Sequence, residues 1–426
     1  MKSRRRLLLV TAAVAALALI VGVGTVAATG AKTLPTLTAP EILTKMAQAG
    51  VGQQSVSGEV AWANNLLGAI ELPSNLAQTP AQSPLLGSGS GRLWVSRDGA
   101  RIESQGSGGD KVAAVSKADH LAWTYDSATN TAKRYELPSG QETTAAPAPS
   151  TSAEALTPAM IEKELQAMAG VATVRELDQT TVAGRAAYVL EMTPAAADTA
   201  LGAVRAAIDG ETMLPLRVEV FAKGGTTPVL DYGFTSITYG PVDASLFAFT
   251  APQGAEVTTE KVAAPDRAGD QGGAPQKISE DQAHKAQLTY DEAARLVDYP
   301  LARARGYEAR PFRWAYVFAQ GGPQTAAGTP VFGMAGLDQL KIEGPSSALV
   351  YGSGFGTIVL LQTKTTDALK KQLEQVPALP TSLGNGVRML YTPLGGVVIW
   401  EQDGTTLAAA GMVSAADMEA FVRAVR

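Results

Sequence analysis

Between Thr181 and Glu256 the chain repeats with a period of two. Ala186, Tyr188, Leu190 and Met192 share one parity, as do Leu216, Val218 and Val220, and again Leu230, Tyr232 and Phe234. Alternation of this kind marks half-buried antiparallel strands, with one side toward a core and the other toward water. Gly184, Asp209-Gly210, Gly224-Gly225 and Gly240-Pro241 punctuate the run as turns. The run holds no His and no Cys, and its acids fall mostly at turns or on the polar side. A sheet is dictated here; a catalytic site is not.

The full length of 426 residues predicts two domains. A net charge of -5 with no basic cluster excludes a nucleic-acid partner. The absence of cysteine excludes a disulfide framework, thiolate metal sites and lipid attachment at an N-terminal cysteine. Lys2 and Arg4-Arg5-Arg6 precede an uncharged run from Leu7 to Ala31. Residues 1–33 therefore read as a cleaved export signal or a retained N-terminal membrane anchor, since about 20 apolar residues span a bilayer. Both alternatives place the remainder outside the cytoplasm, because the arginines stay inside.

Downstream, Thr38 and Glu41 form a capping box with Pro40 in the first turn, and Ile42, Leu43 and Met46 follow at helical spacing. Val56, Gly58, Val60 and Trp62 predict a strand, and residues 64–91 read as a loop-like insertion. GRLWVSRDGARIES reads as a strand pair turning at Asp98-Gly99. Leu121, Trp123, Tyr125, Tyr135 and Leu137 continue the sheet. A second amphipathic helix opens at Thr157-Pro158, with Met160, Ile161, Leu165 and Met168 on one side.

The order of these features resembles one family. Gly-Arg-x-Ala-Tyr-x-Leu, an Asp-Gly turn, Leu-Pro-Leu-Arg-x-Glu, a Tyr/Phe-rich strand ending near Asp243-Ala-Ser-Leu-Phe, and Phe249-Thr-Ala-Pro-x-Gly-Ala follow one another. They are similar to the second half of the LolA-like lipoprotein-carrier fold, in its secreted actinobacterial version. The resemblance implies an α+β fold: a curved antiparallel sheet, an open half-barrel, with helices on its concave side. It further implies a non-enzymatic, monomeric protein without cofactors that holds a lipid or lipoprotein acyl chain. Its alternatives are an RseB-like regulator binding a membrane partner such as an anti-sigma factor, or a structural envelope protein. Candidate cavity residues are Leu93, Val95, Leu121, Trp123, Leu190, Val218, Val220, Tyr232 and Phe234, although parity leaves open which face is concave. Arg97 matches the family's lid-latching arginine, but Asp98 stands where the family has proline.

Residues 34–256 form this first domain. Residues 257–287 read as a flexible linker, rich in Pro, Gly and charge and almost free of large apolar side chains. Residues 288–426 read as a small α+β domain. It has a capping box at Thr289 and Glu292, strands in 312–318, 347–351, 357–362, 386–391, 395–401 and 405–410, and a terminal helix capped by Ser414. Trp400, Gly404, Gly411 and Ser414 resemble a module attached to extracytoplasmic regulators. His120 and His284 fall in different segments, which argues against a histidine metal site or triad.

Overall fold

The computed structural model describes residues 33–49, 55–66, 88–105, 109–137, 157–261, 287–318, 342, 344–374, 381–384 and 386–425. The Leu7–Ala31 run, the 141–152 tract and His284 lie outside them. Among the described residues no helix is long and apolar enough to cross a membrane.

Twelve strands make the first sheet among the described residues. In chain order they are β1 (Val56–Asn64), β2 (Gly89–Val95), β3 (Gly99–Gln105), β4 (Lys111–Ser116), β5 (Leu121–Asp126) and β6 (Thr131–Glu136). Then come β7 (Ala172–Val182), β8 (Arg185–Pro194), β9 (Leu201–Asp209), β10 (Pro215–Ala222), β11 (Leu230–Tyr239) and β12 (Glu256–Lys261). The spatial order is β12-β6-β5-β4-β3-β2-β1-β11-β10-β9-β8-β7. The sheet is open, with β12 and β7 at its edges. It is also curved: β7 touches β11, although four flat strand spacings would separate them by about 19 Å. Register shifts at Leu177/Thr180 in β7 and Pro215/Arg217 in β10 supply local bends.

Two expectations need correction. Glu256–Lys261 belongs to no linker: it pairs in parallel with β6, from Glu256 opposite Thr131 to Lys261 opposite Glu136. All six of its side chains are exposed, so no apolar alternation announces the strand. The Asp98-Gly99 pair is not the turn itself. The Ser96 amide bonds the Gly99 carbonyl, and Gly99 opens β3 as a buried residue. Glycine is required there because a Cβ would stand 2.2 Å from the Val115 carbonyl oxygen and 2.7 Å from Phe247 Cγ.

Helices α1 (Ala39–Ala49) and α2 (Pro158–Met168) pack on each other and on the sheet. One half of the first capping box is formed: Glu41 Oε2 accepts from the Thr38 amide at 2.7 Å and from its hydroxyl at 2.9 Å. Thr157 caps α2 by accepting from the Met160 amide. The helices direct Ile42, Leu43, Met46 and Ile161 onto Tyr188, Leu190, Ala206, Ile208 and Val218.

A second, six-stranded antiparallel sheet has the order β13-β14-β15-β18-β17-β16. Its strands are β13 (Phe312–Phe318), β14 (Ser346–Tyr351), β15 (Ile358–Lys364), β16 (Arg388–Thr392), β17 (Gly395–Gln402) and β18 (Thr405–Gly411). The short α3 (Tyr290–Ala294) carries the expected Thr289/Glu292 box. Helix α4 is Asp367–Glu374, and α5 (Ala415–Ala424) is capped by Ser414. Met418 and Phe421 of α5 meet Leu349, Leu360 and Leu407 in one core. Asp403 and Gly404 join β17 to β18 with φ of 52° and 74°, the paired left-handed conformation of a two-residue hairpin turn.

Candidate functional site

Cross-strand register sorts the first sheet's side chains between its faces. Leu93 stands opposite Gly58 of β1, and Val60 and Trp62 share the parity of Gly58. Val60 faces Phe234 and Trp62 faces Tyr232; Tyr232 then leads to Val218, Ala206 and Leu190 in turn. Leu93, Val95, Leu190, Val218, Val220, Tyr232 and Phe234 therefore share one face. Trp123 does not: it aligns with Ala114, Arg101 and Trp94, and Trp94 adjoins Leu93. Leu121 and Trp123 thus occupy the opposite face, which corrects their grouping with the others. The cause is that a one-residue offset in register inverts every side chain, and parity within a strand carries no register.

The shared face has four differently covered parts; its centre, Val60, Trp62 and Phe234 with Leu93 and Tyr232 at the edge, packs on Val182, Ala187, Ala207 and Leu216 of the curled sheet. Leu190 and Val218 are 4% and 3% exposed beneath α1 and α2. One row further along, Val174, Met192, Val204, Val220 and Leu230 are in register. They pack in one cluster with Leu394, Phe355 and Met412 of the second sheet's region. The fourth part lies over β2 to β6, in two rows. One runs Val95, Ala100, Val115, Ala122 and Tyr135, and the other Leu93, Ile102, Ala113, Thr124 and Lys133. Every one of these ten residues is half-buried rather than buried. The helix contacts fall instead on β7 to β10. Ile102, Ala113, Val115 and Tyr135 were not among the sequence candidates; the apolar parity of Ile102 with Ala100 was the available signal.

Behind these rows the opposite face is capped by the chain itself. The 244–249 segment lays Phe249 5.5 Å from the Trp123 ring and 5.9 Å from that of Tyr125. Arg101 Nη1 donates to the Leu246 carbonyl at 3.0 Å, and Phe247 is 1% exposed. Arg97 is exposed in the turn after β2.

Opposite the helices, a row of charges crosses five strands in register, Arg175, Glu191, Arg205, Glu219 and Asp231, alternating in sign up to Glu219 and ending in a like-charged pair. Glu191, 4% exposed, accepts from Arg175 Nη2 at 2.6 Å and Arg205 Nε at 2.7 Å. Burial raises its pKa, but the two arginine hydrogen bonds outweigh burial and hold it below the ordinary value. Glu219 goes the other way: burial raises it, Arg217 opposes, and Asp231 adds to the rise. An open pocket of about 620 Å³ lies here, with Leu177, Val182, Val189 and Ala207 beside Arg205, Arg217 and Glu219. None of the ten sequence candidates lines it. Its arginines already hold protein carboxylates, so the row reads as a self-neutralising ladder. Among the described residues no group of acids and histidines is placed to hold a metal ion.

No family model matches the chain, and neither does any curated protein. Solved structures do match. MucB in complex with MucA(peri) superposes with a TM-score of 0.41 at 15% identity, covering 91% of this chain and 98% of that one. The MucA/MucB complex of Pseudomonas aeruginosa gives 0.39 at 15% identity with the same coverage. A LolA superfamily protein of Nitrosomonas europaea gives 0.20 at 13% identity, covering 50% of this chain and 99% of that one. The LolA superfamily, which the motif order resembles, is thus among the matches. The superpositions are loose, and no family assignment follows from them.

Proposed function

We propose that the chain is a non-enzymatic, extracytoplasmic binding protein that takes an apolar chain, an acyl chain or a lipidated peptide, against the β2–β6 part of the face bearing Leu93 and Val95. It has two units, 34–256 extended to Lys261 by β12, and 288–426. The observation that carries the reading is the pair of in-register rows from Leu93 and Val95 to Lys133 and Tyr135, apolar along most of their length. They are half-buried throughout, whereas elsewhere on this face Leu190 and Val218 lie under α1 and α2, Val60, Trp62 and Phe234 pack on Val182, Ala187, Ala207 and Leu216, and the row from Val174 to Leu230 meets the second sheet's region. The motif order and the apolar N-terminal run support the lipid class and the compartment. Ten methylenes buried at about 0.8 kcal/mol each correspond to roughly micromolar affinity, so no polar recognition group is required.

Native mass spectrometry of the protein purified from its own envelope tests this, together with three variants. Ile102→Asp and Val115→Asp place an unpaired charge on the rows, where an apolar ligand would have to desolvate it. Bound lipid should fall at least about tenfold in both. Trp123→Ala, on the other face, should leave it unchanged. Lipid retained equally by folded Ile102→Asp and Val115→Asp would remove the reading. Recovery of a stoichiometric polypeptide in place of lipid would replace it with partner binding.

A further inference from the structure

The joint between the two sheets carries one buried cation beside the Thr199 and Ala200 bonds to the Met412 carbonyl. Arg310 is 1% exposed. Its Nε donates to the Gly356 carbonyl at 2.9 Å and its Nη1 to Tyr307 Oη at 2.6 Å. Asp417 Oδ2 lies 3.6 Å from Nη2. All three partners belong to the second sheet's region. Nη2 alone reaches the first sheet, donating to the Asp198 carbonyl at 2.7 Å and meeting Asp198 Oδ2 at 2.9 Å. Asp198 sits in the turn between β8 and β9, where the Ala200 amide also donates to the Met412 carbonyl at 2.7 Å. Beside this seam Leu394, Phe355 and Met412 press on the Met192–Val204–Val220–Leu230 row.

The two sides of the joint are unequal. Were the sheets to part, Arg310 would keep Gly356, Tyr307 and Asp417. The Asp198 side chain, already 44% exposed, would simply be hydrated. Separation therefore leaves no buried charge unpaired, which is the condition that makes most buried ion pairs costly to break. The row underneath is apolar and belongs to the same face as Leu93 and Val95.

We propose that the second sheet is a releasable cover over this end of the apolar face, and that Arg310 and Asp198 form its latch. The cover stands on these contacts alone; that its release would extend a ligand surface rests on the binding reading above.

Two variants of the full chain test it. Asp198→Ala removes the carboxylate. Gly356→Ala displaces the Asp198 carboxylate from Arg310, because its Cβ would stand 2.8 Å from Asp198 Oδ1. Hydrogen exchange of the Ala200 amide should quicken on the order of tenfold in each, in line with loss of a charged hydrogen bond. Exchange at Leu360 and Leu407, in the second sheet's core, should not change. Binding of an anilinonaphthalene sulfonate dye should rise as the Met192 row is uncovered. Unchanged Ala200 exchange in both variants would overturn the latch, and faster exchange without added dye binding would overturn the cover. A fluorescent long-chain fatty acid serves as a separate arm. If it binds neither wild type nor variants while exchange and dye binding rise, the acyl-chain reading fails and the cover stands.

Discussion

Arg217 holds two carboxylates with one guanidinium. Its Nε and Nη2 donate to the two oxygens of Asp231 on the next strand, at 2.9 and 2.6 Å. The same Nη2 lies 3.2 Å from Glu219, and Asp231 is only 6% exposed. Arg217→Met should therefore cost about 3–5 kcal/mol, because removing one partner strands the others in a poorly hydrated place. Adding Asp231→Asn should recover part of the loss. Urea unfolding at neutral pH measures both. A single-variant loss below about 1 kcal/mol would mean the ladder is solvated like an ordinary surface pair.

Phe247 closes the face behind β3 and β4. Phe247→Ala should cost about 3–5 kcal/mol, the usual range for a buried aromatic. Gly99→Ala should also destabilise, and it should do so even in the Phe247→Ala background. The Val115 carbonyl, 2.2 Å from the added Cβ, is backbone and stays in place when Phe247 is shortened. Equal stability of the single Phe247→Ala and the double variant would show that β3 and β4 separate more easily than their register implies.

Val218→Asp and Val220→Asp should act on folding before they act on any ligand. Val218 lies under α1 and α2, and Val220 lies in the cluster that meets the second sheet. An unpaired carboxylate should cost about 3 kcal/mol or more at the buried Val218 and less at the half-buried Val220. Val115→Asp, on a half-buried position, should cost less than about 1 kcal/mol. Thermal unfolding followed by circular dichroism separates the cases. Comparable losses at all three positions would mean that the β2–β6 rows are as covered as the rest of the face.

What was legible in the sequence was local. The Thr289 capping box, the Thr38–Glu41 pair, the Thr157 and Ser414 caps and most strands of both sheets, though not β4, β7 or β12, follow from spacing and end chemistry within a few residues. What was not legible depended on partners distant in the chain. Trp123 shares the aromatic alternation of its neighbours, yet only the register with Ala114 and Arg101 sends it to the other face. Glu256–Lys261 has no apolar parity and becomes a strand by pairing with a segment more than a hundred residues earlier. Arg310 and Asp198 are unremarkable among 35 basic and 40 acidic residues until the two sheets meet. The ladder from Arg175 to Asp231 had a faint signal, charged residues on the polar parity of successive strands, that only register turns into contacts.

Acid should weaken the fold through Asp209. This carboxylate is fully buried at the β9–β10 turn. It accepts from the amides of Glu211 and Thr212 at 2.8 and 2.9 Å, from Arg185 Nη2 at 3.0 Å and from Tyr239 Oη at 3.1 Å. Burial by itself raises its pKa. The Arg185 hydrogen bond, the two amides and the Arg185 charge together exceed burial, and the net result lies below the ordinary 3.8. A carboxylate depressed in the folded state binds its proton less readily there than in the unfolded chain. Its stabilisation is therefore complete above the unfolded value and is lost as pH falls from about 3.8 through the lower folded value. Asp209→Asn keeps an acceptor for the amides but has no charge for Arg185, and it should cost roughly 3 kcal/mol at pH 7. The gap between wild type and variant should shrink as pH falls below 3.8, because the wild-type side chain then becomes neutral too. Glu219, shifted the other way, is common to both proteins and cancels in the comparison. Urea midpoints taken from neutral pH down to about 2, below the ordinary carboxylate range, read the effect. A gap that stays constant across that range would show that Asp209 acts through the geometry of its turn and not through its charge.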